Sequence, residues 1–127
     1  LPILLLHGSG DPQMPWNGGC VADIGGACNR GRVISALATR DRWLAINGLA
    51  GVTPTTAVID SSTTDTGPAN RFEYTGATPV QWWRLDGAGH AVPSRTVFSA
   101  SNLTTGTQNR DVEFAEVVWA FFKARLP

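Results

Sequence analysis

The chain opens Leu-Pro-Ile-Leu-Leu-Leu, six apolar residues without a polar interruption, and this run constrains the fold more than any other feature. A strand with one face in water alternates polar and apolar residues. A run with no alternation is the pattern of a strand covered on both faces in a parallel sheet. Such a sheet needs helices on either side, which predicts an α/β architecture. The run stops at Gly8, Ser9, Gly10, Asp11 and Pro12, where glycine and proline favour turns over regular structure. Asp11 therefore stands just past the C-terminal end of a buried strand. In open α/β sheets ligands and catalytic groups gather at that edge. Aspartate in a glycine-rich turn is also an ordinary turn former, so the position by itself carries two readings.

At 127 residues with a hydrophobic fraction of 43%, the chain has material for one ordinary domain core. Its formal net charge is zero and only 16% of residues are charged, which leaves no basic patch for nucleic acid and no polybasic segment for a membrane surface. No apolar run approaches the roughly 18 residues that span a bilayer, and no charged segment followed by an apolar one opens the chain. A neutral small molecule or polymer is the expected partner, and no cofactor is expected. A start at Leu1, inside an apolar run, leads to the expectation that the chain is a piece of a longer polypeptide.

Alternating elements follow the first strand. Residues 12 to 30 form a long glycine-rich loop. From about Arg32 to Asn47 the positions Val33, Leu37 and Leu44, with Ile34 and Trp43 beside them, fit one face of a helix, and Gly48 stands where a helix-ending glycine belongs. Thr56 to Asp60 and Arg71 to Thr75 predict short strands. Val80 to Leu85, rich in β-branched and aromatic residues, predicts a stronger one. The Gly76 to Pro79 turn predicts a hairpin between the last two. From Asn109 or Asp111 to about Arg125, acids lead and bases close a helical pattern, as the helix macrodipole favours. Phe114, Val118, Phe121, Phe122 and Trp119 are its expected core residues.

A second strand end repeats the logic of the first. Val80 to Leu85 runs into Asp86, Gly87, Ala88, Gly89 and then His90, again a titratable residue on a tight turn. A right-handed connection returns this strand parallel to the first, so both turns project from one edge of the sheet. Neighbouring strands lie about 4.8 Å apart, within reach of a hydrogen bond from Asp11 to His90. A carboxylate so placed orients an imidazole as general base. A lone loop histidine is more often solvated and idle; the paired placement favours the catalytic reading. His7, at the end of the apolar run, is expected to have a hydrogen-bonded structural role.

Aspartate then histidine, each after a strand, is the second half of the Ser, Asp, His order of α/β-hydrolases. The stretch "HGSGDPQMPWNGG" resembles the His-Gly-Thr-x-Asp-x-x-Val-Pro-Tyr-x-Gly-Gly segment of the polyhydroxybutyrate depolymerase and feruloyl esterase group. "GAGHAVP" is similar to its Gly-Gly-Gly-His-x-Trp-Pro segment. Ser35, Trp43, Asn47 and Gly48 fall where that group has a helix ending in Trp and Asn-Gly, and "FAEVVWAFFKAR" resembles its terminal helix. The resemblance implies that Asp11 is the triad acid and His90 the triad base, in the C-terminal part of one α/β-hydrolase domain with a parallel sheet flanked by helices. Trp16, Met14 and Val92 depart from the group's pattern at positions that line or neighbour the acyl pocket, which bears on substrate preference.

No G-x-S-x-G nucleophile elbow occurs in the chain. Ser9 lies on the acid's own turn, two residues before Asp11, so the triad is incomplete. The early loop that supplies part of the oxyanion hole is absent too. A full domain of this kind needs roughly 250 residues. The expected partner is therefore the nucleophile half of the same domain, on the same or another chain.

Cys20 and Cys28 share the glycine-rich loop. They can bridge, stay free and buried, or bind metal, for which only Asp23 is nearby. The bridge, turning back at Gly25 and Gly26, is the expectation, and it fits a secreted or periplasmic protein. "NLT" at Asn102 is a formal glycosylation acceptor. Trp82 and Trp83 are adjacent in a strand and point to opposite faces, so at least one is packing, whereas Trp16 in the loop is the better substrate contact. Arg84 is expected at the surface or paired with Asp86. Two function classes stay open. One is a serine carboxylester hydrolase acting on feruloyl, acetyl or hydroxybutyrate esters, to which this chain supplies Asp and His. The other is a non-catalytic hydrolase-like binding module or inactive fragment.

Overall fold

A computed structural model describes residues 1–22, 26–97 and 104–126. Asp23, Gly25 and Asn102 lie outside the described residues. The elements in chain order are β1 (Ile3–Gly8), β2 (Gly19–Cys20), β3 (Arg32–Val33), α1 (Ala36–Ile46), β4 (Thr55–Ile59), β5 (Ala69–Tyr74), β6 (Val80–Leu85) and α2 (Phe114–Lys123). Four strands form one sheet in the order β1-β6-β5-β4. β1 runs parallel to β6 with Ile3 opposite Val80 and Gly8 opposite Leu85. β5 pairs antiparallel with both β6 and β4. The sheet is thus mixed rather than parallel throughout, because the β5–β6 connection is the tight turn that its Gly76 to Pro79 sequence predicts. β2 and β3 form a separate two-stranded ribbon.

Alternation along β6 divides the interior in two. Trp82 joins Val80, Tyr74, Ala36, Leu44 and Leu49 on one face. Trp83 joins Leu85, Ala69, Ala88 and Val112 on the other. Both tryptophans are therefore packing residues. α1 covers the first face through Ala36 and Leu44, and α2 approaches the second through Val117. This is an α/β-like layered arrangement with a helix on each side of a mixed sheet.

β1 differs from its expectation in placement. Its side chains do reach both cores, Leu5 on one side and Leu4 and Leu6 on the other, but the strand is the edge of the sheet and most of it is half-buried. An unbroken apolar pattern reports that both faces are covered. It does not report how many neighbours a strand has.

Helix α1 begins later than the periodicity suggests. Arg32 and Val33 pair with Cys20 and Gly19, and Ser35 caps the helix by accepting a hydrogen bond from the Ala38 amide (3.1 Å). Ile34 and Leu37, assigned to the buried face, are exposed, and Ala36 is buried instead. The C-terminus ends as predicted. Gly48 takes a positive φ of 69°, and the amides of Gly48 and Leu49 return to Ala45 and Leu44, the paired hydrogen bonds of a Schellman motif. Asn47 then ties this end to the carbonyls of Leu1 and Thr78 (both 2.9 Å).

Helix α2 starts at Phe114, not at Asn109 or Asp111. Phe121 is buried, whereas Trp119 and Phe122 are largely exposed; ten residues this rich in large side chains cannot turn all of them toward one sheet. Asp111 does not serve the helix dipole. It is 1% exposed and accepts hydrogen bonds from the amides of Ser61 (2.7 Å) and Ser62 (2.9 Å) and from the Asn109 side chain (3.0 Å). The carboxylate thereby anchors the chain after β4 to the entry of α2. Asp111→Ala removes the acceptor of two part-buried amides and of the buried Asn109 side-chain amide, a change that costs about 2 kcal/mol. Urea unfolding followed by tryptophan fluorescence should show that loss, and a variant within 0.5 kcal/mol of wild type, roughly the scatter of ordinary surface substitutions, would show the anchor to be dispensable.

Candidate active site

The turns after β1 and β6 meet because their backbones are bare. Parallel pairing brings the two strand ends side by side, and the ladder continues past them. Ser9 N donates to Leu85 O and Gly10 N to Ala88 O (both 2.9 Å). A Cβ on Gly8 would overlap the carbonyl oxygens of Ala88 and Gly89, and one on Gly10 would come within 2.6 Å of Gly87 O. Neither glycine has a positive φ. They are required for close approach and not for turn geometry, a distinction that no local sequence pattern carries. On the far side, Gly89 lies against Gly106 and Thr105. The amides of Gly89 and His90 donate to the carbonyls of Thr107 (2.8 Å) and Thr105 (2.6 Å).

This seam places Asp11 beside His90. Oδ2 of Asp11 is 2.8 Å from Nδ1 of His90. Its other oxygen, Oδ1, accepts hydrogen bonds from the amides of Gln13 (2.7 Å) and Met14 (2.9 Å). Asp11 is a turn former through one oxygen, and its other oxygen faces the imidazole. The Asp11 side chain is 6% exposed and that of His90 is 45% exposed. The carboxylate is thus fixed and sheltered, while the ring opens outward. With the Nδ1 proton donated to the carboxylate, Nε2 carries a lone pair, and no described residue engages it.

The pair borders a cleft of about 510 Å³ whose walls include Leu4, Leu6, Val92, Phe114, Val118 and Phe122. A basic nitrogen at an apolar cleft can accept a proton from a hydroxyl, and the wall can shelter an apolar group. His7 makes the hydrogen bond expected of it, with Nε2 2.8 Å from the Met14 carbonyl, and it also borders the cleft. Trp16 lies elsewhere. Its ring is half-buried against Trp82 (centroids 5.8 Å apart) and edge-on to His7 (5.7 Å), and it does not line the cleft that holds His90. Arg84 pairs with Asp86 (2.6 Å).

The two serines near these turns bond to other groups, and among the described residues neither makes a hydrogen bond to His90. Ser9 Oγ accepts a hydrogen bond from Gly87 N (2.7 Å). Ser94 is buried and donates to Glu113 (2.8 Å). Cys20 and Cys28 form a disulfide, with Cα atoms 5.0 Å apart, joining the β2–β3 ribbon to its own loop. Among the described residues no cluster of histidine, cysteine and acidic side chains has the makings of a metal site. No helix among them is long and apolar enough to cross a membrane. The backbone contributions of Thr105 and Thr107 escape sequence reasoning; Gly106, pressed against Gly89, is the one local hint of a close crossing. No family model, curated protein or solved structure matches the chain.

Proposed function

We propose that Asp11 and His90 are the acid and base of a serine carboxylester hydrolase whose nucleophilic serine lies outside these 127 residues. The observation that carries the reading is the Asp11–His90 contact: a sheltered carboxylate held by two amides bonds one ring nitrogen and leaves the other open at an apolar cleft. In the proposed reaction the serine oxygen bonds to the ester carbonyl carbon while its proton passes to Nε2 of His90. The tetrahedral intermediate collapses by breaking the C–O bond to the alcohol, which leaves with that proton. Water, deprotonated by the same nitrogen, then releases the acid and restores the serine. Asp11 throughout holds the ring in one tautomer and offsets the imidazolium charge.

The order of Asp and His, each past a strand end, supports the hydrolase reading, and the resemblance to polyhydroxybutyrate depolymerases and feruloyl esterases narrows it to carboxylic esters. The disulfide supports a secreted or periplasmic setting. The engagement of Ser9 and Ser94 in other bonds favours a nucleophile supplied by the remaining half of the domain, on the same or a partner chain. The same engagement is what a non-catalytic hydrolase-like module would show, and a fluorophosphonate probe separates the two. The probe bonds only to a serine whose proton is being drawn off. The 127-residue chain should remain unlabelled, and a polypeptide that also carries the nucleophile half should be labelled on a serine outside residues 1–127. Labelling of Ser9 or Ser94 would put the nucleophile in this chain, and an unlabelled longer polypeptide would favour the binding module.

A further inference from the structure

The amides from Asp86 to His90 have a complete set of acceptors, and one acceptor is unlike the rest. Asp86 N donates to Pro68 O, Ala88 N to Leu85 O, Gly89 N to Thr107 O and His90 N to Thr105 O. Only Gly87 N donates to a side chain, Ser9 Oγ at 2.7 Å. Ser9 belongs to the other turn, two residues before Asp11. Among the described residues this bond and the Asp11–His90 contact are the two side-chain links between the turns. Gly87 has a positive φ of 70°, and Thr66 crowds the site its Cβ would take, with Oγ1 donating to Asp86 O (3.0 Å). The turn is thus held by Thr66 on one side and by Ser9 on the other.

We infer that Ser9 is a positioning residue for His90: its hydroxyl locks the Gly87 amide to the acid's turn and so fixes the imidazole against Asp11. The inference deepens the ester-hydrolase reading and rests on it for any effect on turnover, but the geometry it asserts is measurable without turnover. The bond lies at an exposed position, so water can replace the hydroxyl as acceptor once it is removed. Loss of Ser9 should then leave stability nearly intact and loosen the alignment of the two turns. A misplacement of about 1 Å can cost a reacting pair roughly 100-fold, so small slack suffices.

The test is proton NMR of the 127-residue chain, following the His90 Nδ1 proton that bridges to Asp11. In wild type this proton should give a resolved low-field signal, and Ser9→Ala should speed its exchange with water about tenfold or broaden it away. Ser9→Thr, which keeps the hydroxyl, should restore it. Urea midpoints for all three proteins should coincide. An Ala variant with an unchanged signal, or a Thr variant that behaves like Ala, would overturn the inference. If the Nδ1 signal is lost in Ala and kept in Thr, Ser9 positions His90 even where the fluorophosphonate test fails. In the complete hydrolase, Ser9→Ala should lower kcat about tenfold with KM unchanged, a split that a general folding defect does not produce.

Discussion

Asp11→Asn is expected to leave the fold in place and lower ester turnover by about 10⁴-fold in the polypeptide that carries the nucleophile. Asparagine has the shape of aspartate, and its carbonyl oxygen can keep the Gln13 and Met14 amides that Oδ1 now accepts. What changes is the partner of His90. The substituted side chain would put an amide nitrogen where Oδ2 lies 2.8 Å from Nδ1, and a donor there turns Nδ1 into the acceptor. The ring proton then sits on Nε2, where no lone pair remains to take a proton from serine. Hydrolysis of short p-nitrophenyl esters measures the loss, with circular dichroism to show an intact fold. Turnover near wild type would remove Asp11 from the mechanism.

Gly8→Ala should have the largest effect on stability, above about 3 kcal/mol, or prevent folding. The new methyl would overlap the carbonyls of Ala88 and Gly89 on the turn that carries His90, so relief of the clash has to displace that turn. Gly48→Ala is the control. That glycine has a φ of 69° with open space around its Cβ position, so the substitution should cost only about 1 kcal/mol of backbone strain. Urea denaturation of the pair reads the difference between a steric and a torsional role. If Gly8→Ala is as mild as Gly48→Ala, the two turns are not fused as described.

These glycines also mark the limit of what the sequence discloses. The elements carried by local pattern are legible. Val80–Leu85 is a strand with the bounds its composition predicts, β5 and β6 form the hairpin that the turn predicts, and Gly48 ends α1. The meeting of Asp11 and His90 is legible too, because parallel pairing of the strands before them is a topological expectation. Misreadings arise where a distant partner decides. Arg32 and Val33 leave the helix for a ribbon with Gly19 and Cys20, Asp111 leaves the helix terminus for the amides of Ser61 and Ser62, and Gly8 and Gly10 serve a neighbouring turn. In each case the deciding group lies more than ten residues away, outside any window of periodicity or propensity.

The two borders of the sheet are not equivalent. β4 carries Thr55, Thr56 and Val58 exposed to water. β1 is mostly leucine and isoleucine, and apolar clefts of about 510 and 380 Å³ lie against its two sides. The apolar surface beside β1 favours that border over β4 for pairing with a further strand. A newcomer aligned with β1 would end its run at the level of Gly8, level with the turns that carry Asp11 and His90, so the same border that invites extension also fixes where the extension would deliver its last residues.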